Sequence, residues 1–202
     1  MVSQDIKTFS SIPALFVERA RERGDAPLFF KQYRSNSITY TWNEALARVR
    51  AIAAALVRMN LEPGDRVAVI SDNGPEHSFC DFAIQAAGGI VVPIYTTTAA
   101  EQMRHILSDS ASKIFFFDKE SYLQRIQEAF SNLDEPPRLV RMHDPKNPKD
   151  EEIPLLSAMM ASAPLESEAG EIERRITSIG RDDLSVIIHD LENFPVLYLE
   201  IL

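Results

Sequence analysis

Short apolar segments that alternate with helical segments constrain the fold of this chain more than any other feature. Residues 66–71, 90–95 and 113–117 are rich in β-branched or aromatic side chains, which is typical of strands buried on both faces. Segments with helical periodicity separate them. Strand–helix–strand units of this kind form parallel sheets with right-handed crossovers. The sequence therefore predicts an α/β fold with a doubly wound, largely parallel sheet and flanking helices.

The segment before the first of these strands predicts two helices and a hairpin. Apolar spacing indicates a helix that ends at Gly24, and residues 28–33 and 37–41 read as two paired strands. Thr41 with Glu44 three residues later is typical of a capping box, so the next helix is expected to begin after Thr41.

The two following crossovers carry similar signals. Pro75 suits the first turn of a helix, and Gly88 with Gly89 predicts a helix stop with close packing rather than a dinucleotide-binding loop. Thr98 with Glu101 predicts a second capping box, with Thr98 as the N-cap.

The last third of the chain continues the alternation more weakly. We expect a helix over 122–130, a strand over 138–142, an exposed loop over 143–153, short helical pieces at 155–160 and 172–176, and a final strand over 181–188.

Composition excludes several classes of protein. The 202 residues and 45% apolar content suffice for one moderate domain or slightly more. A net charge of −9 argues against nucleic acid as a partner, because phosphate binding needs clustered Lys and Arg. The single cysteine, Cys80, is predicted to be a buried thiol. No signal peptide, transmembrane segment or basic amphipathic anchor is recognisable, so the predicted location is cytoplasmic.

Several residues invite a functional interpretation, and for each a structural role is favoured. Asp72-Asn73-Gly74 follows a strand at its carboxyl end, where α/β sheets bind ligands, but it also reads as an ordinary turn. The four histidines are dispersed, without the spacing of a zinc site. Residues 115–117, three consecutive phenylalanines, predict a buried strand rather than a fatty-acyl pocket.

Five ordered motifs resemble the AMP-forming acyl-CoA synthetases, and more specifically the long-chain fatty-acid type. They occupy residues 11–19, 38–44, 63–73, 86–95 and 182–188, so the resemblance covers nearly everything from Phe9 to Ile188. It implies a ligase that joins a fatty acid to coenzyme A through an acyl-adenylate, with ATP and Mg²⁺ as further requirements. Peripheral membrane association is an additional expectation from the long-chain members.

The resemblance stops at Ile188. The family's phosphate-binding loop, Thr-Ser-Gly-Thr-Thr-Gly-x-Pro-Lys-Gly, should begin about two residues later, but no glycine, serine, threonine or lysine follows Ser185. We therefore divide the chain into a partial synthetase subdomain over 1–188 and a non-matching tail over 189–202. We assign no catalytic, cofactor-binding or metal-binding residue. ATP, Mg²⁺ and coenzyme A are not expected to bind productively, and the chain alone is predicted to be inactive.

Other interpretations stay open. The tail is most simply explained by a truncated or frame-disrupted gene, which would leave buried faces exposed and the chain prone to aggregation. Alternatively, residues 196–202 form a surrogate strand at the sheet edge or a partner-binding segment. A separate alternative is that the chain is a non-catalytic module that uses the retained scaffold to bind an acyl chain, a nucleotide or a partner subunit. A third hypothesis is complementation by a separately encoded remainder.

Overall fold

The computed structural model describes residues 9–33, 36–143, 153–189 and 196–200. Its helices are α1 (Ile12–Arg23), α2 (Trp42–Arg58), α3 (Pro75–Ala86), α4 (Ala100–Ser110), α5 (Leu123–Phe130), α6 (Leu156–Ala161) and α7 (Glu166–Ser178). Its strands are β1 (Pro27–Tyr33), β2 (Asn36–Thr41), β3 (Arg66–Ile70), β4 (Ile90–Pro93), β5 (Ile114–Phe117), β6 (Arg138–Arg141), β7 (Leu184–His189) and β8 (Val196–Glu200).

The main sheet confirms the predicted α/β architecture. Its strand order is β6-β5-β3-β4-β7-β8, in which the first five strands run parallel and β8 pairs antiparallel with β7. One face of the sheet is covered by side chains from α1, α2, α3, α6 and α7, and the other by side chains from α4 and α5. The sheet is therefore doubly wound, with a hydrophobic core on each face.

The pairing of the parallel strands is uneven. Three neighbouring pairs, β3 with β4, β3 with β5 and β5 with β6, each have four residues in register. Between β4 and β7 only Val91 and Val186 are in register. Strand β7 therefore joins the sheet through a much shorter ladder than the other parallel strands.

The amino-terminal predictions are confirmed. Strands β1 and β2 form an antiparallel hairpin, whose connecting residues 34 and 35 lie outside the described part of the chain. At the start of α2, the Thr41 N–H donates to Glu44 Oε2 at 2.8 Å, and the Glu44 N–H donates to Thr41 Oγ1 at 3.2 Å. These two bonds form the expected capping box and satisfy donors that the first helical turn leaves free.

The predicted capping role of Thr98 is wrong. Helix α4 has Ala99 at the N-cap, and the Ala99 N–H donates to the side-chain oxygen of Gln102 at 3.3 Å. Thr98 is buried one residue earlier, in a turn where its N–H donates to the carbonyl of Tyr95 at 3.0 Å. Because that turn closes first, the helix begins one residue later than the sequence pattern indicates.

Helix α7 is longer than the short piece predicted over 172–176. It extends over 13 residues, of which Ile172, Arg175 and Ile176 are buried. Its first turn is acidic and has no apolar stripe, so hydrophobic periodicity detects only the buried half.

The remaining segments are described in part. Residues 144–152 of the predicted loop lie outside the described residues, as do 190–195 and 201–202 of the tail. The backbone of β8 lies at the sheet edge, which matches the alternative in which the tail supplies a strand.

The packing predictions hold in the core. Cys80 and all three residues of Phe115–Phe117 are buried, and burial raises the pKa of the Cys80 thiol. Gly89 permits a close approach, since a Cβ at that position would lie 3.0 Å from Cγ2 of Ile84. Gly88 adopts a φ of +82°, which favours glycine. The glycine pair is therefore a helix stop with tight packing, as predicted.

Candidate functional site

The carboxyl ends of the parallel strands are the first place to examine for a site. In open α/β sheets, ligands bind where successive connections leave to opposite sides of a strand. Here the chain leaves β3 through α3 and enters β4, which is the neighbour of β3 on one side. It then returns through α4 to β5, which is the neighbour of β3 on the opposite side. The topological switch point therefore lies between the carboxyl ends of β3 and β5.

At this switch point, charged side chains that follow β3 and β5 contact one another. The Asp72 N–H donates to Asp118 Oδ2 at 2.8 Å, and Lys119 Nζ lies 2.5 Å from Asp72 Oδ2. The hydrogen bond to Asp72 raises the pKa of Lys119. We call Asp72, Asp118 and Lys119 the switch-point cluster. These bonds connect the carboxyl ends of β3 and β5. The Lys119 ammonium group is already paired with a carboxylate of the protein.

An open cavity lies on the other side of β3. It has a volume of about 430 Å³ and sits between the carboxyl ends of β3, β4 and β7. We call it the carboxyl-edge cavity. Apolar lining comes from Val69, Pro93, Ile94 and Ile188, and polar lining includes Ser71, Asn73, His77, Tyr95 and Thr96. Tyr95 is 68% exposed, so its ring stands at the rim. The cavity can accept a ligand with an apolar body and a polar group.

A serine–histidine pair lines this cavity. Ser71 follows β3 directly, and His77 lies in the first turn of α3, with Ser71 Oγ 2.6 Å from His77 Nδ1. Sequence analysis missed this pair, because it treated Asp72-Asn73-Gly74 as a turn and the histidines as unrelated. The turn prediction is compatible with the structure, and the turn is what returns the chain so that His77 reaches Ser71.

A second cavity, of about 420 Å³, lies at the amino ends of β4 and β7. Arg175 on its wall is buried and donates from Nη1 to the carbonyls of Leu61 and Ala87, at 2.7 and 2.8 Å. Its Nε donates to Glu171 Oε1 at 2.6 Å. Hydrogen bonds from Arg174 and Arg175 lower the pKa of Glu171 to about 2. These bonds join α7 to the turns after α2 and α3, so we assign Arg175 a structural role.

The four histidines are not brought together. His77 lines the carboxyl-edge cavity, His105 lies on α4, and the imidazole of His189 at the end of β7 contacts Asp109 at 3.0 Å. Among the described residues, no three His, Cys, Asp or Glu side chains converge as they would around a metal ion. We assign no residue to Mg²⁺ and derive no step through this ion.

Comparison with known proteins identifies a family with this architecture. The AMP-binding enzyme family matches residues 16–189, which is most of the chain. The chain belongs to the AMP-binding enzyme family. This confirms the resemblance of the sequence motifs. The matched region ends at the last residue of β7.

Relatives of this family member include long-chain fatty-acid ligases. The long-chain-fatty-acid–CoA ligase FadD15 of Mycobacterium bovis is 32% identical over 118 residues, which are 58% of this chain and 20% of the relative. The 4-hydroxybutyrate–CoA ligase 2 of Metallosphaera sedula is 31% identical over 145 residues, or 69% of this chain and 24% of the relative. The chain therefore spans about a fifth to a quarter of the relatives' length.

Solved structures show the same fold for this AMP-binding family member. A fatty acyl-CoA synthetase of Mycobacterium tuberculosis matches with a TM-score of 0.71 at 22% identity, covering 94% of this chain and 34% of that protein. The long-chain-fatty-acid–CoA ligase FadD1 of Archaeoglobus fulgidus has a TM-score of 0.76 at 13% identity, covering 96% and 38%. Within the described residues, no helix combines the length and the apolar character needed to cross a membrane.

Proposed function

We propose that this chain forms the amino-terminal part of an AMP-forming long-chain fatty-acid–CoA ligase. The observation that carries the proposal is the family match over residues 16–189, since it covers the whole doubly wound sheet through β7. The FadD15 relative supports a long-chain acid as the substrate class. The full reaction would join a fatty acid to coenzyme A with conversion of ATP to AMP and pyrophosphate, through an acyl-adenylate.

In this proposal, the chain supplies the scaffold beneath the reacting groups. The carboxyl-edge cavity provides an apolar wall near the end of β7, where the family's phosphate loop would follow. ATP, Mg²⁺ and coenzyme A would be held largely by residues outside the part described, because the resemblance implies a phosphate loop that follows β7.

We further propose that the 202-residue chain alone does not catalyse this reaction. Adenylate formation needs backbone donors and positive charge around the leaving pyrophosphate. No glycine, serine, threonine or lysine follows Ser185 to provide them. The test is pyrophosphate release and acyl-CoA formation by the purified chain with palmitate, Mg²⁺, ATP and coenzyme A. We expect no signal above a heat-inactivated control, and turnover that depends on palmitate would refute the inactivity.

A second candidate function is non-catalytic binding of an acyl chain or a nucleotide, and the open carboxyl-edge cavity is the observation that favours it. Calorimetry with palmitate and with ATP distinguishes the two proposals, because only this one requires saturable binding. Tyr95→Ala, at the rim of the cavity, should then weaken binding by about tenfold or more. Phe30→Ala is a matched control, since Phe30 is 66% exposed and does not line the cavity.

Cytoplasmic location with peripheral membrane association is also part of the proposal. The buried free thiol of Cys80 is compatible with a reducing compartment, and the long-chain ligase relative suggests a substrate that partitions into lipid. Cell fractionation followed by a high-salt wash of the membranes tests this proposal. Protein that stays in the membrane fraction after the wash, or that is recovered outside the cytoplasm, would contradict it.

A further inference from the structure

The Ser71–His77 pair has the components of a nucleophile and its base. Ser71 Oγ and His77 Nδ1 are 2.6 Å apart, within the reach required for proton transfer from a serine hydroxyl. In the tautomer that carries its proton on Nε2, the Ser71 hydroxyl donates to Nδ1. Both residues line the carboxyl-edge cavity, so a bound molecule can reach the hydroxyl.

The first turn of α3 lies close to the pair along the chain. Ser71 directly follows the buried strand β3, a three-residue turn comes next, and α3 begins at Pro75. Gly74 at the N-cap has no side chain to cap the helix. The N–H groups of Glu76 and His77 in the first helical turn therefore have no intrahelical acceptor. Such donors, together with the positive end of the helix dipole, stabilise an oxyanion.

We infer that Ser71 and His77 act as a nucleophile–base pair that accepts acyl groups from activated esters at the carboxyl-edge cavity and passes them to water. This activity goes beyond the proposed ligase function and does not depend on it, since it requires neither ATP nor coenzyme A.

The chemistry balances without a further reactant. Ser71 Oγ forms a bond to the carbonyl carbon while its proton moves to His77 Nδ1. The bond to the leaving alcohol or thiol then breaks, and His77 returns the proton to that group. In the second half, water attacks the acyl-serine, His77 takes a proton from the water, and the free acid leaves as Ser71 regains its hydrogen. The net reaction consumes one ester and one water, and releases one acid and one alcohol or thiol.

Asp81 is an acidic neighbour of His77. It lies four residues later on α3, and Gln85 Nε2 donates to Asp81 Oδ1 at 3.2 Å. Burial raises the pKa of Asp81. We assign Asp81 no catalytic role.

The cavity limits the class of ester. A volume of about 430 Å³ with apolar walls from β3, β4 and β7 accommodates a short or medium acyl group with a small leaving group. Asp72 also lines the cavity and the chain carries a net charge of −9, so uncharged esters are favoured over anionic ones.

The test uses the complete chain and a fluorophosphonate probe, which bonds to an activated serine oxygen with loss of fluoride. Peptide mapping should place the adduct on Ser71, and p-nitrophenyl butyrate should be hydrolysed. Ser71→Ala should abolish both signals. His77→Gln keeps a hydrogen-bonding group but removes the base, and it should slow labelling about 100-fold. Ser78→Ala is the matched control, because Ser78 lies on the same helix but does not line the cavity.

Labelling of the urea-unfolded chain keeps the inference decidable if a variant fails to fold. Adduct formation at Ser71 that disappears on unfolding supports the inference. No adduct at Ser71 in the folded chain, or equal labelling of the folded and unfolded chains, would overturn it, as would an unchanged rate in folded His77→Gln. A ligase assay is independent of all these readouts, so failure of one proposal leaves the other intact.

Discussion

The two sides of β3 are built differently. Towards β5 and β6, strands pair over four residues each, and the switch-point cluster links the carboxyl ends of β3 and β5. Towards β7, beyond β4, a single residue pair is in register and the carboxyl-edge cavity is open. A parallel sheet can therefore be continuous in its core while the space for a ligand is left beside the short β4–β7 pairing, with β7 paired on its other edge to β8.

Side-chain contacts compensate for the short ladder of β7. On one face, Ser185 Oγ donates to Gln85 Oε1 of α3 at 2.7 Å. On the other, His189 Nε2 lies 3.0 Å from Asp109 Oδ2 of α4. Strand β7 is thus held by both helical layers and by its antiparallel pairing with β8, whereas β5 is held by two parallel neighbours and by its own buried side chains.

The largest expected effect is in the well-paired half. Phe116→Ala removes a fully buried ring from the centre of β5 and should lower the free energy of unfolding by about 3–5 kcal/mol. Urea unfolding followed by circular dichroism measures the loss. Phe30→Ala, at an exposed position of β1, should change stability by less than about 0.5 kcal/mol. If both substitutions lowered the free energy of unfolding by a similar amount, β5 would not be a main source of stability in the sheet.

Ser185→Ala tests the weakly paired half. It leaves the buried Gln85 oxygen without its donor, which should cost about 1–3 kcal/mol. Hydrogen exchange should increase more at the amides of β7 than at those of β5. Uniform exchange along the sheet would contradict a separate tie for β7.

Removing the Glu171 carboxylate on α7 should have a smaller effect, which is seen in the pH dependence of stability. The pKa of Glu171 is lowered from 4.5 to about 2 by its bonds to Arg174 and Arg175. The folded chain therefore binds fewer protons than the unfolded chain between these values, and the stability from Glu171 is lost as the pH falls through this window. Unfolding midpoints measured from pH 5 to 2 should fall less steeply in Glu171→Gln. Identical slopes would remove Glu171 from the attachment of α7.

Lys119→Met should have the smallest effect. The side chains of Lys119 and Asp72 are 44% and 57% exposed, so water and salt screen their ion pair and its contribution to stability should be small. The comparison variant is Lys113→Met. Its partner Asp65 is only 11% exposed, so this substitution should lower the free energy of unfolding more than Lys119→Met does. If Lys119→Met proves the costlier change, the switch-point cluster contributes more to the paired half than its exposure indicates.

Local patterns predicted most of the fold because each reports on a few neighbouring residues. The capping box at Thr41 and the buried strand over Phe115–Phe117 are confirmed for this reason. The same reasoning fails at Thr98, where a preceding turn displaces the helix start, and at α7, whose exposed first turns lack an apolar stripe. At the candidate site it predicted the turn after β3 but not the contact that the turn creates.

The sequence by itself determined the doubly wound α/β class and the identity of the buried strands, because solvent exposure leaves a periodic signature in adjacent residues. The family followed from the resemblance of ordered motifs, and the family match confirms it. Only the tertiary structure decided the order of the strands, the short ladder of β7, the carboxyl-edge cavity and the approach of Ser71 to His77. These features depend on which segments become neighbours in space, and that is set by the packing of the whole sheet against its helices.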